Sequence, residues 1–455
     1  MVTSKGFSMS SRGGELFNKA RNGTHSILRW QIGNLALSSL HQGIPAIAAW
    51  SMVGQGSDSV LLGSFIGMLT AGEMLGTFTI ARALRIMNER TALFVCSLTF
   101  ILCAVLSLAW SSATGLAYGR IYLYIAAIFF GCSNGWRSSI FEIFIARHCS
   151  DTMAALELRR LIRYSMISAV IGPSLAGIFL TWRNTHFAMA LAFCAAAAPV
   201  LLLVPWNHSE IDKNAISDLE TARSSGGTLL RGGALLARLR PMWTLLAISF
   251  SAQACLSVFF SFVLPAFTSR AGLPPWAMTS FENVFSIFGF VMGGLIIRRA
   301  CKGDKRKPIV LLGASIAVCV MAFSQLFGAR LTTFELTFAA GALAAVMGSA
   351  AVALDSIVNP LIYLTVPKTH QAEFVQFTAI VHRFVLLSAA WFAGYLTGHV
   401  GFAVVCFAAG ALLAIVMLAG GLGRIIAPLL KLEDHEIPGA YGRLFPFLFG
   451  QDVEK

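Results

Sequence analysis

Charged residues are scarce in this chain. Asp, Glu, Lys and Arg together make up 12% of the 455 residues, whereas 56% are hydrophobic and the mean hydropathy is +0.73. Soluble proteins carry about 25% charged residues. The shortage of charge excludes an ordinary water-soluble domain and indicates that lipid is the main solvent of the folded chain.

Signatures of metal, phosphate and disulfide chemistry are also missing. The nine cysteines include no C-x-x-C pair, and none lies in a segment predicted to face outside, so we expect neither a zinc site nor a disulfide. No two histidines have metal-ligand spacing on one helix, and there is no phosphate loop. The one His/Cys/Asp cluster, "RHCSD" at 147–151, has no partner motif. We therefore expect no cofactor, no metal and no catalytic residues, with a membrane-embedded transferase as a remote alternative.

What the chain does contain is a series of twelve long apolar runs. A helix needs about 20 apolar residues to cross a bilayer, and the runs lack the short alternating pattern of a β-barrel. The sequence therefore predicts an all-α membrane protein with twelve transmembrane helices. The runs lie at approximately 27–53, 59–84, 91–112, 120–146, 156–181, 185–206, 243–268, 276–299, 308–329, 334–365, 373–397 and 400–423.

Basic residues are distributed unevenly between the two sides of the predicted membrane. With the N-terminus inside, inner loops, tails and helix ends hold 28 of the 34 Lys and Arg, outer ones hold four, and Arg137 and Arg383 lie within helices. An excess of Lys and Arg marks the cytoplasmic side, so we expect both termini in the cytoplasm. The polar first 25 residues do not resemble a signal peptide. This placement accounts for the net charge of +13 without nucleic acid.

A polar stretch at 207–242 divides the twelve runs six and six. The predicted organisation is a cytoplasmic tail at 1–26, a bundle at 27–206, a cytoplasmic linker at 207–242, a second bundle at 243–423, and a cytoplasmic tail at 424–455, expected at the inner membrane surface. A shift of 220 residues places Pro265-Ala266 on Pro45-Ala46. This layout favours two parallel repeats with a substrate site between them near the midplane.

The fifth run reads "YSMISAVIGPSLAGIF", in which Gly172-Pro173 precedes Ala176-Gly177. Small residues allow helices to approach closely, and Pro173 bends its helix. The six–linker–six layout resembles the major facilitator superfamily over nearly the whole chain. Within that layout, this segment resembles the superfamily's antiporter motif. The resemblance implies the major facilitator fold of two pseudo-symmetric six-helix bundles, and it implies export.

The loop after the second run, "ARALRIMNERTAL", departs from the family pattern. Arg85 stands where the family has Asp, and Glu89 stands near a family Arg, so we expect an ion pair of reversed polarity. Ala127 stands where the family's fourth-helix arginine is usual, so coupling through that residue is not carried over. The fourth and fifth runs resemble the multidrug and siderophore exporter branch, which often has Arg at the Arg137 position.

Charged side chains inside spans are candidate site residues, because each costs roughly 2.5–3.5 kcal/mol to insert. Arg137 and Arg383 lie near mid-depth and are predicted to bind an anionic group, since the planar guanidinium suits carboxylate or catecholate oxygens. Structural pairing of these arginines with Asp355, Glu73 or Glu142 is the open alternative. The other predicted substrate-binding residues are Asn134, Trp136, Gln42, Gln253 and Arg163.

Glu73 is the leading candidate for proton coupling. A carboxyl group in a low-dielectric site can load and release a proton near neutral pH, and small residues surround this one in "TAGEMLG". Asp355 and Glu142 are further carboxyl candidates, and the imidazoles of His41 and His382 titrate near neutrality. Hydrogen bonding within the bundle is the open alternative for each.

The sequence therefore predicts a proton-coupled secondary transporter that works by alternating access. We expect it to export an organic anionic or amphipathic molecule, siderophore-like by resemblance, across a bacterial inner membrane. Multidrug efflux and lysolipid transport by the same fold are the alternatives. The expected partners are a small-molecule substrate, protons and membrane lipid, with a monomeric protein and no nucleic acid.

Overall fold

The computed structural model of the protein describes residues 43–55, 58–87, 89–112, 119–148, 151–182, 185–203, 228–301, 303–421 and 426–445. These residues form an all-helical structure. The helices of the N-terminal half are α1 (Gly43–Gly54), α2 (Ser59–Ile86), α3 (Glu89–Ser112), α4 (Gly119–His148), α5 (Asp151–Trp182) and α6 (Thr185–Leu203).

A short helix, α7 (Thr228–Arg238), lies within the predicted linker and precedes the C-terminal half. In that half, α8 and α9 are each interrupted by a π-helical turn. The bounds are α8 (Arg240–Val258, Phe259–Val263 and Leu264–Arg270), α9 (Pro275–Phe288, Gly289–Gly293 and Gly294–Ala300), α10 (Arg306–Leu326), α11 (Thr333–Tyr363), α12 (Lys368–Val400) and α13 (Phe402–Gly421). Two short helices follow, α14 (Ala427–Leu430) and α15 (Ala440–Leu444).

Length and apolar composition suit many of these helices to a membrane. Eight stretches of the described chain are long and apolar enough to span it, and the apolar stretches Gly43–Gly54, Ala169–Trp182 and Phe187–Ala197 are shorter. Large apolar side chains also cover the outside of the bundle, with Leu311 67% exposed and Ile415 63% exposed. Such a surface fits lipid rather than water. The count of twelve spans and the cytoplasmic position of both termini stay predictions.

The α2 and α4 helices pack closely because glycines on each helix lie against the backbone of the other. A Cβ atom added to Gly131 of α4 would lie 1.9 Å from the Leu69 carbonyl oxygen of α2. In the other direction, a Cβ on Gly76 would lie 2.2 Å from the Cys132 carbonyl oxygen. Residues this small allow two backbones to touch, which is the usual way in which membrane helices associate tightly.

The same contact recurs in the C-terminal half. A Cβ on Gly348 of α11 would lie 1.9 Å from the Phe285 carbonyl oxygen of α9. Gly348 lies 217 positions after Gly131, and Gly293 lies 217 positions after Gly76. The spacing of this repeat is therefore 217 residues at these helices, three fewer than the shift that aligns the two Pro-Ala pairs.

The two halves meet along α5–α9 and α2–α12. In the first contact, a Cβ on Gly177 would lie 2.5 Å from the Thr279 hydroxyl and 3.4 Å from the Trp276 Cα. In the second, a Cβ on Gly394 would lie 2.7 Å from the Ser59 carbonyl oxygen. Gly394 lies 217 positions after Gly177, and Trp276 lies 217 positions after Ser59. The halves therefore touch through two equivalent contacts.

The predicted antiporter motif lies in α5, which contains Pro173 within the helix. Its small residues face other helices. Gly172 lies against Gly43 of α1, because a Cβ on Gly43 would lie 2.6 Å from the Gly172 carbonyl oxygen, and Gly177 lies against α9. Asn283 of α9 also donates to the Ser174 hydroxyl at 2.9 Å. The motif therefore packs both inside its own half and across the boundary between halves.

Candidate functional site

A chain of polar side chains runs from α4 through α2 to α12. Arg137 Nη2 donates to Asn134 Oδ1 at 2.5 Å, and Asn134 Nδ2 donates to Glu73 Oε1 at 2.5 Å. The other carboxylate oxygen, Glu73 Oε2, accepts from Arg383 Nε at 3.3 Å. Glu73 is therefore held directly by an arginine of the opposite half and, through Asn134, by an arginine of its own half.

Thr77 adds a second contact between α2 and α12. Its hydroxyl accepts from Arg383 Nη1 at 2.5 Å and donates to the Glu73 carbonyl oxygen at 2.9 Å. Its own carbonyl oxygen accepts from Gln376 Nε2 at 3.5 Å. Thr77 lies one turn after Glu73, so both side chains leave the same face of α2. Gln376 and Arg383 lie two turns apart on the facing side of α12.

Glycine packing fixes the position of Glu73. Gly135 of α4 lies against the Glu73 backbone, since a Cβ there would lie 2.4 Å from the Glu73 carbonyl oxygen. The preceding residue, Gly72, is equally close to α4, with a hypothetical Cβ 2.3 Å from the Ile128 carbonyl oxygen. The backbone that carries the carboxylate is therefore held against α4, and its side chain bonds both Asn134 of α4 and Arg383 of α12.

The charges of this network are mostly removed from solvent. Arg137 is 6% exposed, and the side chains of Glu73 and Arg383 are 17% and 12% exposed. A buried charge is tolerated when it is paired and hydrogen-bonded. For Arg383, the structure therefore shows the ion pair with Glu73. Arg137 lies within the electrostatic field of Glu73 and reaches it by way of Asn134.

A second polar group lies in the C-terminal half. The Gln253 side chain of α8 is hydrogen-bonded to the Asp355 carboxyl of α11. His382 of α12 stacks on Phe250, with ring centroids 4.8 Å apart and an interplanar angle of 26°. Its buried Nε2 atom has no hydrogen-bond partner among the described residues. His382 is the residue that precedes Arg383 in α12.

The remaining predicted site residues are placed as follows. Trp136 donates from Nε1 to the Thr79 hydroxyl at 2.8 Å, so its indole is tied to α2. Gln42 and His41 lie outside the described residues. Arg85, Glu142, Arg163 and Glu89 lie in helices, and their side chains are outside the described part of the structure. The charge-exchanged loop pair therefore stays a prediction.

Thr77 and Gln376 are not among the residues that the sequence singles out. Thr77 follows Glu73 by four residues, and Gln376 precedes Arg383 by seven, so helical periodicity around each predicted charge is the signal that finds them.

Within the described residues, no group of three or more His, Cys, Asp or Glu is arranged to hold a metal ion.

A cavity of about 500 Å³ lies away from this network, near the ends of α1, α8, α10 and α12. Its lining includes Val53, Ser269, Arg270, Phe327 and Phe402. Ser269 also donates to the Gly54 carbonyl oxygen. This cavity is at the end of the bundle that the charge distribution places outside, and it shares no residue with the Glu73 network.

Comparison with known proteins gives a partial sequence match. No family model matches the chain. A region of 185 residues is 28% identical to a chloramphenicol resistance protein of Streptomyces lividans and covers 40% of this chain. It also covers 44% of that protein, so the match spans less than half the length of this curated relative.

Comparison with solved structures gives a match over most of the chain. A crystal structure of a D-xylose–proton symporter has a TM-score of 0.65 at 12% identity and covers 87% of this chain and 97% of the symporter. A partially occluded inward-open xylose transporter XylE from E. coli has a TM-score of 0.64 at 12% identity, covering 86% and 95%. XylE bound to 6-bromo-6-deoxy-D-glucose, a major facilitator superfamily symporter, has a TM-score of 0.61 at 12% identity, covering 87% and 95%.

At this level of identity the likeness shows the fold. The apolar helices and their lipid-fitted surface agree with it. The protein therefore has the fold of major facilitator superfamily transporters and is an integral membrane protein.

Proposed function

We propose that the protein is a proton-coupled secondary transporter that exports an organic anionic or amphipathic molecule by alternating access. The observation that carries this proposal is the Glu73–Arg383 ion pair, because it joins the two halves through a group that can lose its charge. Protonation of Glu73 removes the charge that Arg383 contacts. The α2–α12 contact is then weaker, and the halves can separate.

Two sequence features support export and a bacterial inner membrane. The Gly172-Pro173-x-x-Ala176-Gly177 segment resembles the antiporter motif, and it packs across the boundary between halves. The Streptomyces relative is a resistance protein. In a protein with a transporter fold, the simplest route to resistance is to move the drug out of the cell. The similar proteins support transport rather than catalysis.

Two substrate classes follow from different observations. Arg137 and Arg383 favour an anion with carboxylate or catecholate oxygens, which includes siderophore-like molecules. The partial match to a chloramphenicol resistance protein favours a neutral amphipathic drug. In the first case, the substrate anion and the ionised Glu73 carboxylate compete for the Arg383 guanidinium.

Purified protein in liposomes tests the proposal. We expect an acidic lumen to drive concentrative uptake of radiolabelled chloramphenicol or 2,3-dihydroxybenzoate, and a protonophore to abolish the concentration step. Equilibration without accumulation, unaffected by the protonophore, would exclude proton coupling. Formation of a chemical product without accumulation would replace transport by enzyme activity.

Arg137→Ala separates the two substrate classes. If Arg137 attracts a substrate anion, the apparent affinity for 2,3-dihydroxybenzoate should fall about tenfold or more, since a hydrogen bond to a charged group contributes roughly 1.5–3 kcal/mol. The affinity for neutral chloramphenicol should stay near that of the parent. Competition between the two ligands in the liposome assay measures the ratio.

A second arginine of α4 provides the control. Arg120 is 63% exposed in its side chain and pairs with Asp58 at 3.5 Å, so Arg120→Ala removes the same charge from the same helix outside the network. It should change neither affinity. Equal loss for both ligands in Arg137→Ala, accompanied by poor folding, would assign Arg137 a structural role.

A further inference from the structure

The C-terminal tail at 426–445 is folded onto the C-terminal half. Lys305, between α9 and α10, donates its backbone N–H to the Leu430 carbonyl oxygen at 3.0 Å and its ammonium group to the Leu432 carbonyl oxygen. Further along, Tyr441 N–H donates to the Thr365 carbonyl oxygen at 2.8 Å, and the Tyr441 side chain is completely buried. The tail therefore packs on the C-terminal half of the protein, and its position at the inner membrane surface stays a prediction.

One residue of this tail reaches the opposite half. Arg159, near the start of α5, donates from Nη2 to Asp434 Oδ1 at 2.8 Å and from Nη1 to Asp434 Oδ2. Its third donor, Nε, bonds the Ser356 carbonyl oxygen of α11 at 3.0 Å. Every nitrogen of this N-terminal-half guanidinium is therefore bonded to the C-terminal half. A planar fork on a carboxylate is the strongest arrangement that arginine offers.

The electrostatic surroundings keep this pair charged. Burial raises the pKa of the Asp434 carboxyl, but the hydrogen bonds and charge of Arg159, together with the charges of Lys305 and His435, outweigh burial and hold the pKa below its usual value. Burial lowers the pKa of the Lys305 ammonium group, which lies within the field of Asp434. The Arg159 side chain is 7% exposed, whereas that of Asp434 is 47% exposed. Water therefore reaches the carboxylate side of the bridge, from which the contact can open.

We propose that the tail is a latch of the inner gate: Asp434, carried on the tail, holds the α5 end of the N-terminal half against α11 and keeps the predicted cytoplasmic mouth closed. The tail is anchored to its own half by Lys305, Thr365 and its buried apolar side chains. When the bridge to Arg159 opens, the tail stays with its half and α5 moves away from α11.

The position of the bridge determines which end of the bundle the latch would hold closed. The halves already touch at Ser59–Gly394, near one end, and at Glu73–Arg383, in the middle. The Arg159–Asp434 bridge closes the end that the charge distribution places in the cytoplasm. A transporter that alternates access must break this contact to expose its site to the cytoplasm, so the latch rests on the proposed transport function.

Chemical labelling tests the latch without any transport measurement. Ser356 is completely buried beneath Arg159, so Ser356→Cys reports separation of α5 from α11. Cys301, which lies within the field of Arg159, is changed to Ser to keep it from reacting. In lipid nanodiscs, where both faces meet the reagent, Asp434→Asn should raise the labelling rate of Ser356→Cys by a water-soluble maleimide about tenfold. Protein without the reporter gives the background rate.

Neighbouring variants sharpen the result. Asp434→Glu keeps the carboxylate and should label at nearly the parent rate. Glu433 is 74% exposed in its side chain and forms an ion pair with His435, so Glu433→Gln removes one tail charge without removing a partner of Arg159. An unchanged rate in Asp434→Asn, or an equal increase in Glu433→Gln, would overturn the proposal. If Asp434→Asn does not fold, Arg159→Lys should raise the rate instead, because a lysine loses the fork.

The labelling result is independent of the transport assay. Faster labelling with no transport in liposomes would keep the latch and reject the proposed function. Coupled transport with unchanged labelling would keep the function and reject the latch.

Discussion

Glu73→Gln is expected to abolish pH-gradient-driven accumulation while preserving expression and substrate exchange. Glutamine has nearly the shape of glutamic acid but cannot release a proton, so Arg383 loses the charge that alternates. Exchange of labelled for unlabelled substrate needs no net proton movement and should continue. We expect accumulation at least tenfold below the parent protein, measured in the same liposomes with and without the pH gradient.

A glutamate away from the network controls for the loss of one charge. Glu335 caps the start of α11 by accepting from the Thr332 backbone N–H at 2.8 Å, and glutamine preserves this capping box. Glu335→Gln should therefore accumulate substrate like the parent. If Glu73→Gln keeps the parent's gradient dependence, Glu73 has no part in coupling.

Gly131→Ala is expected to lower stability more than any other glycine-to-alanine substitution among the described residues of the N-terminal half. The new Cβ would lie 1.9 Å from the Leu69 carbonyl oxygen, which belongs to a helix backbone and cannot rotate away. Separating α2 from α4 costs about 1–3 kcal/mol in overpacking, and it displaces Glu73 from Asn134 as well. Heating followed by size-exclusion chromatography should show a clearly lower apparent melting temperature.

The chain offers a closely matched control for this substitution. Gly341 also lies inside an apolar helix, α11, but a Cβ there meets nothing within 4 Å. Gly341→Ala should be neutral or stabilising by about 0.5–1 kcal/mol, because alanine favours the helix. Equal melting temperatures for the two variants would show that the α2–α4 contact is looser than the structure has it.

The fold is readable from the sequence where it depends on apolar length. The run predicted at 91–112 corresponds to α3 at Glu89–Ser112, and the run at 308–329 corresponds to α10 at Arg306–Leu326. The π-helical turns in α8 and α9 are not readable, because an apolar run looks the same with or without an extra residue in one turn. The pattern Gly131-x-x-x-Gly135 signals close packing, but it does not say which helix is the neighbour.

The site is harder to predict from the sequence. The position of a charged residue along its helix gives its depth in the membrane, but it does not show which other charged residue it contacts. Glu73 and Arg383 are separated by 310 positions, and Arg159 and Asp434 by 275. From the sequence alone, Arg383 and Arg159 could each be a substrate ligand or an ion-pair partner. Only the packing of the helices shows which carboxylate lies beside each arginine. The tail illustrates the same difficulty, since its mixture of acidic and aromatic residues fits a membrane surface as well as a protein surface.

The glycine clamp on Glu73 has a mechanical consequence. Because Gly72 and Gly135 hold the backbone of this residue against α4, a change in its charge cannot be absorbed by sliding α2 within its own half. If Glu73 binds the coupled proton as proposed, α2 and α4 should move together as one rigid unit, and α12 is the element expected to respond. Each proton that binds to Glu73 should therefore produce a displacement between halves, and proton uptake that does not move α12 would be an uncoupled, unproductive event.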